Sequence, residues 1–175
     1  MCIRDRNLRG WCGGEALSSE LASTIPESME FWNVYGPTET TIWSTIQRVI
    51  PKDLVDNKPV LIGKPIDNTT LYILDEDKNH LPVGVSGTLW IGGAGVAAGY
   101  HNREELTQEK FQANPFLNDS VHGENNTLIY DTGDLARLRE DGSLEYMGRK
   151  DFQVKIRGFR IEPVSYTHLT LPTIA

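Results

Sequence analysis

Cysteine is nearly missing from this 175-residue chain, which holds only Cys2 and Cys12. With so few thiols neither a disulfide framework nor a cysteine metal site can be assembled, and a reducing compartment is the consistent expectation. Long apolar runs are missing too. No stretch approaches the ~20 residues that a membrane-spanning helix needs, and no signal peptide is recognisable, so the chain reads as soluble and cytoplasmic, with no membrane partner. Positive charge is in the minority: 17 lysines and arginines stand against 24 aspartates and glutamates. Such a chain repels phosphate backbones, which argues against nucleic acid as a partner. His80, His101 and His122 lack partners at metal spacing, and no zinc site is expected. No internal repeat or low-complexity tract occurs.

The two ends differ in character from the rest. Met1-Cys2-Ile3-Arg4-Asp5-Arg6 and Val164-Ser165-Tyr166-Thr167-His168-Leu169-Thr170-Leu171-Pro172-Thr173 read as translations of a transposon-type sequencing adapter in its two orientations. Segments 1–6 and 163–175 are therefore set aside from fold reasoning. Without Arg4, Asp5 and Arg6 the charged residues number 15 basic and 23 acidic, a net of −8. The remaining length suits one ordinary domain, but the motifs within it argue for an internal slice of something larger.

Local pattern predicts a short helix from Ser18 to Ser23 behind the Gly13-Gly14 turn, with Ser18 or Ser19 as N-cap. A buried strand over Phe31–Val34 runs into the Gly36-Pro37 turn. Further short strands are expected at Leu71–Leu74, Thr88–Ile91, Leu128–Tyr130 and Leu144–Tyr146. Gly92–Gly99 reads as a glycine-rich loop, and Arg103–Phe111 as an amphipathic helix with Leu106 and Phe111 inward. The sum is a mixed α/β or α+β layer arrangement with a β-rich part.

The chemistry concentrates in Asn33-Val34-Tyr35-Gly36-Pro37-Thr38-Glu39. Gly36-Pro37 forces a rigid turn at a strand end, where ligands approach α/β sheets. There the Thr38 hydroxyl can donate to a phosphate oxygen, and Glu39 is a hard oxygen ligand suited to Mg²⁺. Tyr35 offers a flat face to a purine, and the Asn33 amide can read its edge. Gly13 and Gly14 let backbone approach a ligand closely, since no Cβ intervenes. Asp134 supplies a carboxylate able to accept two hydrogen bonds from vicinal hydroxyls. Each feature alone also fits an ordinary polar turn. Gly92-Gly93-Ala94-Gly95 is no P-loop, because no Lys-Ser/Thr pair follows it.

Three segments taken in order, Asn33–Thr41, Tyr130–Leu135 and Gly148–Gly158, resemble the amino-acid adenylation domain of nonribosomal peptide synthetases, of the adenylate-forming superfamily. Gly87–Phe111 resembles the peptide-synthetase branch more than the acyl-CoA synthetases, although Ala98 replaces the usual arginine and Thr88 the usual glutamate. The resemblance implies the adenylate-forming fold: residues 7–150 would be the C-terminal portion of its large N-terminal part, including the β-rich portion, and 151–162 the hinge and the start of a smaller, mobile part. It implies ATP and Mg²⁺, with Gly14 beside the adenine, Asn33 reading it, Tyr35 stacking on it, Thr38 on phosphate, Glu39 on magnesium and Asp134 on ribose. Tyr146 and Arg149 would make further nucleotide contacts. Asp151 would be the hinge, and Lys155 would swing in for thioester formation.

The same resemblance implies an amino-acid substrate whose side chain is lined by Trp11, Gly13, Val34, Ile42 and Trp43, a peptidyl carrier protein domain bearing phosphopantetheine, and a condensation domain in the same assembly line. Two tryptophans leave little volume, so a small side chain is expected, glycine first, with either tryptophan as plain core the alternative. The family's phosphate-loop lysine, amine-pairing aspartate and final catalytic lysine have no counterparts in this sequence. An acyl-CoA or acyl-carrier ligase, or a catalytically dead nucleotide-binding module, are the rival expectations.

Overall fold

The computed structural model describes residues 8–54, 60–117, 127–151, 154–156 and 159–161, the last two segments as backbone only. The adapter-like ends, His122, Glu162 and the Lys155 side chain lie outside the described residues. The strands of the described residues form two sheets and a hairpin.

In the first sheet, β1 (Arg9–Gly13) pairs in parallel with β2 (Glu30–Tyr35). Parallel neighbours need a crossover, and it contains the short helix α1 (Ser19–Ser23). Ser18 caps that helix as expected, its Oγ accepting from the Leu21 N–H at 3.2 Å. β3 (Thr45–Val49) runs antiparallel to β2, and the short β4 (Lys64–Pro65) closes the order β1-β2-β3-β4. On one face of this sheet Cys12, Phe31 and Val49 pack with Leu17, Ala22 and Val60. On the other, Trp11 stands 68% exposed.

The second sheet holds β5 (Thr69–Leu74), β6 (Ser86–Gly93), β7 (Phe111–Ala113), β8 (Leu128–Leu138) and β9 (Leu144–Arg149). Its order is β5-β6-β8-β7, with β9 also on β8, and every pairing is antiparallel. Both faces are covered. Ile62, Ile73, Leu89, Ile91, Ala136 and Leu144 form one core, and Tyr72, Leu74, Trp90 and Ile129 form the other. β10 (Val154–Ile156) and β11 (Phe159–Ile161) make an antiparallel hairpin.

The segment around Leu61–Gly63 stitches the two sheets together. From the first sheet, Asn33 Nδ2 donates to the Leu61 carbonyl at 2.8 Å and Thr45 Oγ1 to that of Ile62 at 2.5 Å. From the second, the Leu144 carbonyl accepts from the Ile62 N–H at 3.0 Å, and the Leu144 N–H donates to the Gly63 carbonyl at 2.8 Å. Buried backbone groups must be paired, so this segment fixes where one sheet sits against the other.

β8 carries the other decisive irregularity. Its partners on β6 jump from Trp90↔Asp131 to Thr88↔Leu135, which leaves Thr132, Gly133 and Asp134 bulged around Leu89. Gly133, at φ +69°, makes the bend. Thr132 Oγ1 ties it down by donating to the Leu89 carbonyl at 2.7 Å. On the opposite edge β7 pairs only as far as Tyr130 and β9 begins at Asp134. Bulges re-aim side chains, and this one turns Asp134 toward the first sheet.

Two expectations need correction. The helix at Arg103–Phe111 is shorter, α2 (Glu104–Lys110), and buries none of its own residues: Leu106 is 40% exposed, whereas Phe111 is buried as the first residue of β7. The strand expected over Leu128–Tyr130 continues to Leu138 because the bulge lets the chain pass through Gly133 without leaving the sheet. Among core positions Leu89 is fully buried between β5 and β8. Leu89→Ala should therefore cost about 2–5 kcal/mol of folding stability, measured as a lower urea midpoint with an unchanged slope.

Candidate nucleotide site

Pro37, with its φ fixed by the ring, leads into a single 3-10 turn, Thr38–Thr40. The turn is locked from inside: Thr40 Oγ1 lies 2.7 Å from Ser44 Oγ, and the Ser44 N–H returns to the Tyr35 carbonyl at 2.8 Å. Thr41 adopts φ +80°. For a β-branched residue that is a strained conformation of about 1–3 kcal/mol, held only where its surroundings over-determine it. The glycine-rich loop provides the surroundings. Thr41 Oγ1 donates to the Gly95 carbonyl at 2.8 Å, and the Ala97 N–H donates to the Glu39 carbonyl at 2.9 Å. Glu39 itself is 7% exposed, and its Oε1 accepts from the Tyr100 hydroxyl at 2.7 Å.

Facing this turn is Asp134, 4% exposed on the β8 bulge. Its Oδ2 accepts from the Tyr35 hydroxyl at 2.5 Å, and its Oδ1 from Arg149 Nη1 at 2.8 Å. Arg149 then reaches Asp151 with both remaining arms, Nε to Oδ1 at 2.6 Å and Nη2 to Oδ2 at 2.7 Å. The bidentate pair with Asp151 is the main cause of a raised Arg149 pKa, and Asp134 adds to it. Burial, reinforced by the Asp134 charge, holds Tyr35 well above the usual phenol value. The same two causes push Tyr146 up to about 12.

A cleft of about 320 Å³ opens between the turn and the bulge. Of the residues expected from sequence, Gly14, Thr38, Glu39, Ile42, Trp43, Asp134 and Arg149 line it. Gly14, at φ +93°, has open space where a Cβ would stand, whereas a Cβ on Gly13 would lie 2.7 Å from the Trp43 ring. Gly13 therefore sits under Trp43. Three of the expected residues stand apart from the cleft. Asn33 is buried, with its amide committed to Leu61; Trp11 is exposed; Val34 is buried in β2; and none of the three borders the cleft. Tyr35 and Tyr146 pack against the second sheet's core behind it. Tyr130 and Thr132 line the cleft unforeseen. Their signal was the Tyr130–Leu135 motif, of which only the aspartate had drawn attention.

The donors suit magnesium. Among the described residues no group of three or more histidine, cysteine or acidic side chains could cage a metal, but Mg²⁺ is usually held by one or two carboxylates together with substrate phosphates. Glu39 with the Thr38 hydroxyl beside it answers to that pattern. Asp151 lies at the Arg149 clamp, and Lys155 is placed on β10.

This fold is that of a portion of the adenylate-forming enzymes. The chain belongs to the AMP-binding enzyme family, whose model matches residues 4–101, and its relatives include nonribosomal peptide synthetases. The dimodular nonribosomal peptide synthase of Bacillus subtilis (strain 168) is 49% identical over 158 residues, covering 90% of this chain and 6% of that protein. A four-domain nonribosomal peptide synthetase, solved bound to AMP and glycine, is 47% identical with a TM-score of 0.67, covering 90% of this chain and 12% of that one. A protein with adenylation and PCP domains, bound to a vinylsulfonamide inhibitor, has a TM-score of 0.78 at 31% identity, covering 90% and 27%. The chain thus spans a small part of the length of the proteins it matches. No helix of the described residues is long and apolar enough to cross a membrane.

The raised tyrosines carry a pH signature. Below pH 10 both hydroxyls are protonated whether the chain is folded or not, so their contribution is intact. As pH rises through 10 and on through the folded values, the unfolded chain gives up its protons first and stability falls. On the alkaline side, a stability profile level from neutral pH to about 10 and declining above it is expected, with a shallower decline in Tyr35→Phe; denaturant titration at stepped pH reads both.

Proposed function

We propose that residues 7–150 are the nucleotide-facing portion of an amino-acid adenylation domain and that 151–162 begin its mobile part. The observation that carries this reading is the convergence of Thr38, Glu39, Asp134 and Arg149 on one cleft from two different sheets. An ionised carboxylate has about four acceptor positions on its two oxygens, so Asp134 can hold ribose hydroxyls while keeping Tyr35 and Arg149. Thr38 donates to a phosphate oxygen, and Gly14 admits the nucleotide where a side chain would block it. Mg²⁺, held by Glu39, would supply Lewis-acid polarisation and charge neutralisation at the phosphates.

In the complete domain an amino-acid carboxylate oxygen bonds to the α-phosphorus of ATP as the bond to pyrophosphate breaks, leaving aminoacyl-AMP. The phosphopantetheine thiol of a carrier domain then takes the acyl group, loses its proton and releases AMP. Lys155 enters the site for that second step after rotation at Asp151. The adenylation–PCP structure supports a carrier partner, and a condensation domain would use the loaded residue. Trp43 lies over Gly13, which favours a small side chain, glycine first, and the glycine bound in the four-domain relative supports that choice.

The purified chain should bind ATP in calorimetry, with Asp134→Asn weakening binding about 10–100-fold, the scale of a charge-assisted hydrogen bond, and Thr38→Ala weakening it less. Binding that neither change alters would overturn the reading. Amino-acid-dependent pyrophosphate exchange should be undetectable in this chain, because without preorganised cations at the reacting phosphorus rates fall by ~10²–10³ or more. In the complete domain Trp43→Ala should shift preference toward larger side chains in the same exchange assay. A parent that already prefers a large aromatic amino acid would sink the small-pocket assignment.

A further inference from the structure

We infer that Tyr100 is a positioning residue for Glu39, fixing its carboxylate for the metal; the inference rests on the nucleotide reading above. Tyr100 belongs to the Gly95–Arg103 stretch, whose residues carry no assigned role. Its hydroxyl donates to Glu39 Oε1 at 2.7 Å and lies 3.5 Å from the Tyr130 hydroxyl.

The tyrosine is itself held at several points. Its N–H donates to Thr107 Oγ1 at 2.9 Å, while that hydroxyl donates on to the Arg103 carbonyl at 2.8 Å. Gly99, at φ +141°, makes the approach possible, since a Cβ there would stand 2.3 Å from Thr107 Cγ2. The ring meets Phe111 edge-on at a centroid distance of 5.3 Å, and Phe111 is 5% exposed. Rotation of the tyrosine is therefore blocked from the α2 side, and its hydroxyl is delivered to one place.

The choice of donor matters. A lysine or arginine would also anchor Glu39, but it would neutralise the carboxylate and so compete with a cation. A phenol anchors one oxygen by a neutral hydrogen bond and leaves the negative charge in place. Groups that orient metal-binding side chains in this way commonly account for about 10–100-fold in metal affinity. With Ala97 on the Glu39 carbonyl and Gly95 on Thr41, the loop holds both backbone and side chain of the metal residue.

The test is a calorimetric titration of the 175-residue chain with ATP, in Mg²⁺ and in EDTA. Tyr100→Phe should lose about 10–100-fold of the metal-dependent part of the affinity and leave the affinity in EDTA unchanged. Mn²⁺ titration followed by electron paramagnetic resonance should show the same loss. Glu39→Gln should remove the metal dependence, and adding Tyr100→Phe to it should change nothing more. If Tyr100→Phe keeps the wild-type metal dependence, or still weakens binding when Glu39 is already replaced, the inference falls while the nucleotide reading stands. If the wild-type chain binds no nucleotide in either medium, the nucleotide reading falls and takes this inference with it.

Discussion

A carboxylate taken out of water must be paired or it neutralises itself, and the site is organised around how Asp134 meets that demand. It sits 4% exposed, and its two oxygens are taken by donors of different origin: the Tyr35 hydroxyl from the first sheet and Arg149 from β9. Three segments distant in sequence are thereby pinned to one point. Removing a single member of such a buried pair is costly chiefly because the other is left uncompensated. The charge consequently fixes the register between bulge, clamp and turn more than it contributes net stability.

The cleft owes its shape to two departures from regular structure. The bulge at Thr132–Asp134 turns β8 toward the first sheet, and the strained Thr41 completes the turn bearing Glu39. Neither would persist alone. Thr132 anchors the first to Leu89, and the glycine-rich loop anchors the second through Gly95 and Ala97. The Leu61–Gly63 stitch keeps the sheets bearing them in fixed relation. Strain at the site is balanced by regular hydrogen bonding a few residues away.

Sequence reading succeeded where local pattern and tertiary demand coincide. Ser18 capped its helix, and the apolar runs at Leu71–Leu74 and Thr88–Ile91 became the paired strands β5 and β6. β1 escaped notice because Gly10 and Gly13 leave little periodicity, and β3 because Thr45 and Gln47 alternate with Ile46 and Arg48, so neither face looks apolar. Leu106 misled by lying on an apparent apolar stripe of a helix that buries nothing. In the site, contiguous motifs pointed to Thr38, Glu39, Asp134 and Arg149, which line one cleft. For Asn33, a sequence cannot show that its Nδ2 donates to the Leu61 carbonyl. The bond between Tyr100 and Glu39 spans 61 positions and leaves no local trace.

Arg149 touches Asp134 and Asp151 at once, and this ties geometry to electric field. While both carboxylates are held, the three side chains sum to one negative charge at the mouth of the cleft. Were the chain to turn at Asp151, the two hydrogen bonds to the guanidinium would break together and that local sum would become neutral. Arg149 is thus the contact through which the Asp151 carboxylate sets the charge beside Asp134.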